Sequence, residues 1–555
     1  MRNLPRLLLV ALCLFVLSPA PQAQQLPPAG AALSLEQFVE RLTKAEAALT
    51  ARLGDYHPVV EVYLQNLAPD PKVGTVPIRD DYFLGQFEGK GGPSATPLSP
   101  GRGWFRPAGL MNRPFGFEYV PSGFAATIVP DRKQFDPKRY DFTFVRREFL
   151  DEVRCLVLEV RPKGGDEDGF KGRIWVEDRG FNIVRFNGIS REVDTSLSRF
   201  FSRKLSFHLD SWRVNVQPGL WLPGYVYFEE TDFDDDTPRP PQMPKIKGQM
   251  RLWGYELKDM NAPSAFTSIQ IDAVQDSSEP ARQLSPVLSQ RSWEQQAENN
   301  VLERLTKAGL LAPEGPVDGV LETVLNNLLV TNNVTFDPPL KVRVLLTSPL
   351  ESFTVGRTLV LSRGLIDVLP DEASLAMVLA HELSHVVLGH LLIDTKFAFA
   401  DRLMIPDSDV MRTLRFHHTP LEEADADAKV IELLGKSPYQ DKLAAAGLFL
   451  QAVVGNAKAL KNLIQPHVGD YVVDGEHALA ELIQKAPPLV PEQLDQVAAL
   501  PLGARLVMDP WSNKLDLIRT PAVPLTWARE KLPLAITPMS PYLRYVDSGV
   551  NNTSR

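Results

Sequence analysis

His381-Glu382-Leu383-Ser384-His385 decides how the second half of this chain is read. On an α-helix, residues four apart project from one face, so both imidazoles can reach a single metal ion. Glu382 stands beside them as a carboxylate able to take a proton from water at that ion. The flanks supply the helix. Pro370 and Asp371 give a start, and Glu372 to Ala380 contain neither Gly nor Pro and are rich in helix formers. The run continues through Val386, Val387 and Leu388 and is apolar on most sides, which predicts burial. A Glu between two His inside a buried helix is costly unless a cation compensates it.

A catalytic zinc takes three protein ligands and keeps one open position, so a third ligand is expected. Downstream candidates are His390, His417, His418, Glu422, Glu423, Asp425 and Asp427. His390 is about 140° around the helix from His385, which predicts that it faces elsewhere. Thr419-Pro420-Leu421-Glu422 has the form of a capping box, with Thr as N-cap, Pro at the first helical position and Glu at the third. Glu422 is then used as a cap. Glu423 points about 100° away and is free to ligate. Asp427, four residues on, shares its face and is placed to accept a hydrogen bond from a ligand histidine.

Four stretches carry a family resemblance: Arg363-Gly364-Leu365-Ile366, Asp371 to Ala376, Val378 to Val386, and Glu423-Ala424-Asp425-Ala426-Asp427. Together they resemble the HtpX/CAAX-prenyl-protease family of zinc metallopeptidases, which includes periplasmic BepA-like members. The resemblance spans roughly residues 290 to 485. It implies one Zn2+ per chain on His381, His385 and Glu423, with Glu382 as catalytic base and Asp427 supporting a ligand. It also implies an unfolded or extended protein or peptide as substrate, with envelope protein quality control as the expected role. The chain departs from the family pattern at Glu351-Ser352-Phe353-Thr354, where Asn-Ala-Phe is usual. A downstream His-Pro element has two imperfect counterparts, His477 and His467, and His477 is carried as a candidate for oxyanion stabilisation. The strand Arg357 to Ser362, with Thr358, Leu359 and Val360, is a candidate to pair with an extended substrate. Asp394 to His418 is a candidate lid.

The first half differs in character. Ser34 and Gln37 form a capping box ahead of Phe38, Leu42, Ala45 and Leu49 at helical spacing. Strand-like runs follow at Val59–Leu64, Tyr140–Val145, Val153–Val160, Arg173–Asp178, Phe181–Phe186, Lys204–Leu209 and Trp221–Glu229. This order resembles the carrier fold of LolA-like lipoprotein-sorting proteins. The expected architecture is multidomain α+β. An N-terminal antiparallel β-rich domain with a leading helix is followed by a mainly helical, zincin-type metallopeptidase domain with a small sheet. The expected divisions are 1–23 for an export signal, 24–275 for the β-rich domain, 276–289 for a linker, 290–487 for the metallopeptidase domain and 488–555 for a Pro-rich region.

Composition bounds the rest. The 555 residues exceed what one core accommodates. A net charge of −9, without a basic stripe, argues against nucleic acid as a partner. Arg2 and Arg6, the apolar run Leu7 to Leu17 and the small-residue stretch ending at Ala23 form a secretory signal. Eleven apolar residues are too few to span a bilayer, which needs about twenty. No later segment reaches that length. The expected location is therefore a bacterial periplasm, after secretion across the inner membrane, with at most peripheral association with the cell envelope. After cleavage only Cys155 remains, in a strand, as a buried inert thiol. The competing class is a periplasmic carrier or chaperone that binds apolar chains and whose metal domain is inert.

Overall fold

The computed structural model describes residues 33–72, 74–89, 94–98, 121–131, 135–163, 169–190, 206–231, 245–255, 286–390, 418–464, 479–490, 493, 496, 506–517, 534 and 536. Among the described residues the first element is α1 (Leu35–Leu53), whose Ser34 and Gln37 form the reciprocal cap expected from sequence. Ten strands follow: β1 (Val59–Asp70), β2 (Gly74–Glu88), β3 (Ser94–Pro97), β4 (Tyr140–Leu150), β5 (Val153–Pro162), β6 (Phe170–Glu177), β7 (Ile183–Ser190), β8 (Ser206–Gln217), β9 (Leu220–Thr231) and β10 (Lys245–Trp253). They form one sheet in the order β3-β2-β1-β10-β9-β8-β7-β6-β5-β4, every neighbouring pair antiparallel. A 3-10 helix, Pro121–Ile128, packs with α1 against one face.

Sequence reading missed β2, β3 and β10. β2 carries Pro77, Asp80, Asp81 and Gly85, and β10 carries Gly248 just after Lys245 and Lys247, residues that depress strand propensity. Pro77 is tolerated because it pairs with Leu67 at the register shift between Asn66 and Leu67.

β1 is buried on both faces. Val60, Val62 and Leu64 join the core under α1. Val59 and Tyr63, with Tyr82, Leu84, Tyr227 and Trp253, join a second core made with the C-terminal helices. Alternation places Glu61 and Gln65 on this second face too, and both are buried. On the α1 face, Arg213 of β8 makes two 2.6 Å hydrogen bonds to Glu46 of α1, and neither side chain is more than 1% exposed. Cys155 is buried, as expected, and burial pushes its thiol up to about 12.

The second part contains α2 (Pro286–Lys307), α3 (Pro316–Thr331), β11 (Lys341–Leu345), β12 (Ser352–Val355), β13 (Thr358–Ser362), α4 (Arg363–Val368), α5 (Glu372–Leu388), α6 (Pro420–Gly435), α7 (Leu443–Ala457), α8 (Ala480–Lys485), β14 (Leu506–Met508) and β15 (Leu515–Leu517). α2 begins inside the stretch expected to be linker. β11, β13 and β12 form a three-stranded sheet in that order, with β11 parallel and β12 antiparallel to β13. Together these elements give the mixed α+β architecture expected from sequence.

Polar links cross the joint between the two parts. Trp253 Nε1 donates to Gly309 O at 2.8 Å, and Arg251 donates to Asp367 at 3.1 Å. Gln65 donates to Leu534 O at 2.7 Å and accepts from Ile536 N at 2.9 Å. The Glu351 carboxyl, close to Glu61, is pushed up to about 8, first by burial and then by that neighbouring carboxylate. Among the described residues, no helix is long and apolar enough to cross a membrane.

Two stability predictions follow from these buried groups. Replacing Glu46 with Ala strands the Arg213 guanidinium, with an expected loss of about 3–5 kcal/mol in chemical denaturation. The double change Glu46→Leu with Arg213→Met should recover most of it. An equal loss in both variants contradicts the assignment. For Glu351, the folded value lies above the ordinary 4.5, so the folded chain keeps a proton that the unfolded chain releases. Its contribution is complete below 4.5 and is lost as pH rises through about 8. Unfolding measured at about pH 6 and about pH 8 should show a fall in stability that Glu351→Gln flattens. Parallel curves for the two proteins would refute this.

Candidate metal centre

The site is built where α5 meets α6. Asp371 caps α5 by accepting from Ser374 N at 2.8 Å, and Glu372 holds its first turn to Tyr439 through a 2.8 Å bond. Most of the helix is buried, including Glu382 and His385. α6 starts as the sequence predicts. Thr419 accepts from Glu422 N, and Glu422 accepts from Thr419 N at 2.8 Å, so Glu422 is occupied as a cap. Glu423 and Asp427 are buried on the face of α6 turned to α5.

Three groups converge. Glu423 Oε2 lies 3.2 Å from His381 Nε2 and 3.4 Å from His385 Nε2, and the two Nε2 atoms are 3.3 Å apart. Their ligand atoms all fall within 4.8 Å of one another, a grouping able to hold a metal ion. Asp427 Oδ1 is 3.3 Å from His381 Nδ1, so a proton on Nδ1 leaves the Nε2 lone pair directed at Glu423. Glu423 Oε2 is buried and lacks a well-aligned hydrogen bond. A buried carboxylate oxygen facing two imidazole nitrogens fits a divalent cation.

The electrostatics agree with this. Burial opposes the charge on Glu423, but the two imidazoles overcome it and hold the carboxyl well below its ordinary range. Burial likewise opposes protonation of His381, yet Asp427 and Glu423 raise it well above the ordinary histidine value. Burial raises Glu382, against the pull of His381, His385 and a hydrogen bond from Ser352. That bond, Ser352 Oγ to Glu382 Oε1 at 2.6 Å, fixes the carboxylate from β12.

His390 departs from expectation. α5 ends at Leu388, and Gly389 takes a left-handed conformation with φ 77°. The chain therefore turns back. His390 N donates to His385 O at 2.9 Å, and the two Nδ1 atoms lie 3.1 Å apart. The 140° estimate fails because His390 is no longer on the helix. His418 stacks on His385, with ring centroids 3.6 Å apart and planes 7° from parallel. Burial, then His385, pushes His418 down to about 4. Both rings act on the orientation of His385. The Gly-His pair at 389–390 was the available signal for the reversal.

The strand expectation also needs correction. β13 lies between β11 and β12, so Thr358, Leu359 and Val360 are paired on both sides and buried. They offer no edge to a substrate. The edge strand beside the site is β12, which packs on α5 and carries Ser352. His477 and His467, and all of the candidate lid except His418, lie outside the described residues.

No curated protein matches the chain. Solved structures similar in part include the following three, of which the first two match the N-terminal region. A LolA superfamily protein from Nitrosomonas europaea is 16% identical, covering 40% of this chain and 94% of its own, with a TM-score of 0.20. A DUF1329 family protein from Desulfovibrio piger is 13% identical, covering 39% and 92%, with a TM-score of 0.21. A chain of the MucA/MucB complex of Pseudomonas aeruginosa is 10% identical, covering 39% and 92%, with a TM-score of 0.13. Residues 317–406 match the model of Peptidase family M48. That segment contains β11, β12, β13, α4 and α5, with His381, Glu382 and His385, while Glu423 lies beyond it. In this segment the chain is similar to a metal-dependent peptidase family, in agreement with the converging His381, His385 and Glu423.

Proposed function

We propose that the protein is a zinc-dependent endopeptidase that hydrolyses unfolded or extended protein chains. The observation that carries this reading is the convergence of His381, His385 and Glu423 beside a buried Glu382 held by Ser352. Two imidazoles and one carboxylate suit zinc with one position left open. When bound, zinc supplies Lewis-acid polarisation of the scissile carbonyl and acidifies water at the site. The chain's own groups then divide the remaining work. Asp427 holds the His381 tautomer, and His390 and His418 hold the His385 ring. Ser352 binds Oε1 of Glu382, leaving Oε2 to take the proton of the attacking water and to deliver it to the leaving amine. The leader-like segment 1–23 supports export, and a bacterial periplasm is the proposed location, with envelope protein quality control as the proposed role.

A carrier with an inert metal unit is the competing reading. It has no use for the buried Glu382, since an apolar residue there would cost less. The carrier reading would require Glu382 to be dispensable.

Two experiments test the proposal. Glu382→Gln should bind metal as the wild type does and cleave an unfolded protein about 100-fold or more slowly. Equal cleavage by both proteins, or a wild type that takes up no metal, defeats the peptidase reading. Glu423→Ala should lose metal, whereas Glu422→Ala should keep it and lose only about 1 kcal/mol of stability with its cap. Metal loss from Glu422→Ala alone reverses the ligand assignment.

A further inference from the structure

We propose that the N-terminal sheet is a working part of the metal site. Glu61 of β1 and Asp80 of β2 grip the segment Ser348–Leu350 from two sides and thereby position Ser352 and the carboxylate of Glu382. The proposal rests on reading Glu382 as the general base.

Glu61 is the first grip. It lies 1% exposed on the sheet face turned to the helices. Its Oε1 accepts from Ser348 N at 2.6 Å and from Tyr82 OH at 2.7 Å, and its Oε2 accepts from Ser348 Oγ at 2.6 Å. Both oxygens are thus committed, and two of the three bonds go to one residue of the β11–β12 connection. Asp80 is the second grip. It accepts from Leu463 N at 2.7 Å and from Asn462 N at 3.0 Å, and Tyr63 OH reaches it at 3.3 Å. Leu463 O in turn accepts from Leu350 N at 2.6 Å. Two carboxylates on adjacent strands therefore end, by separate routes, on residues two apart in the same segment.

The segment has little freedom to absorb a shift. Thr347 O accepts from Gly364 N at 2.9 Å, and any side chain at Gly364 would collide with the Ser348 carbonyl. Glu351 is tied to Ser362 through both backbone groups, at 3.1 and 2.8 Å. The next residue is Ser352, whose hydroxyl holds Glu382. A displacement of a few tenths of an ångström at Ser348 has no loop slack in which to vanish before it reaches that hydroxyl. Glu61, Asp80 and Ser352 are positioning residues in this account, acting through Glu382.

The test uses the full-length, zinc-loaded protein and the variants Glu61→Gln, Asp80→Asn, Ser352→Ala, Ser352→Thr and Glu46→Gln. Amide hydrogen exchange over residues 346–355, bound zinc per chain, and kcat and KM on a labelled unfolded protein are measured. Glu61→Gln and Asp80→Asn should speed exchange in that segment about tenfold, keep zinc, and lower kcat about tenfold with KM unchanged. Ser352→Ala should lower kcat similarly, and Ser352→Thr, which retains the hydroxyl, should restore most of it. Adding Glu61→Gln to Ser352→Ala should cost less than about twofold more, because both act through one carboxylate. Glu46→Gln loosens the sheet from its opposite face and should lower Tm without changing kcat or exchange in the segment. Unchanged exchange in Glu61→Gln and Asp80→Asn, fully multiplicative losses in the double variant, or a kcat loss in Glu46→Gln as large as in Glu61→Gln overturns the proposal. Cleavage unaffected by Glu382→Gln overturns the peptidase reading together with the proposal. Unchanged exchange in an enzyme that does need Glu382 overturns the clamp alone.

Discussion

Ionisable groups enclosed between two packed helices and a buried strand are the constraint on which the rest depends. Glu382, Glu423 and Asp427 are all buried around two imidazoles, at a cost that only mutual compensation can offset. The structure supplies that compensation in layers. Capping uses up Glu422 and turns Glu423 inward. Asp427 and His390 take the outer nitrogens of His381 and His385, and Ser352 takes one oxygen of Glu382. What these partners leave uncompensated is concentrated at one point, the Oε2 of Glu423 between two Nε2 atoms, where a dication would balance it.

The same economy appears at the joint between the sheet and the helices. A joint made only of Val59, Tyr63, Tyr82, Leu84 and Trp253 would be adhesive but loosely specified. Glu61, Gln65, Asp80 and Arg251 add buried polar groups that are costly unless matched, so few dockings satisfy them. The matched docking is the one that presses on the segment leading to Ser352. The joint and the Glu382 carboxylate are connected by backbone bonds rather than by proximity alone.

Local rules were readable in the chain wherever local physics decided the outcome. The capping boxes at Ser34 and Thr419 form as spaced, and i, i+4 geometry brings His381 and His385 together. Long-range pairing was not readable. Nothing within β1 distinguishes Glu61 from a solvent-facing strand residue, because its partner Ser348 lies 287 positions away, and Asp80 meets Asn462 across 382 positions. The centre-or-edge status of β13 is likewise a property of its neighbours, β11 and β12. His390 was misplaced for a local reason, because continuing the helix past Gly389 ignored a residue suited to the left-handed turn.

The central claim is that His381, His385 and Glu423 form one zinc centre. X-ray absorption at the zinc edge of the purified, zinc-reconstituted protein tests it most directly. The account predicts nitrogen and oxygen neighbours at about 2.0–2.2 Å, with the outer-shell scattering of two imidazoles, and no sulfur. A shell without imidazole scattering, or with one imidazole only, would contradict it.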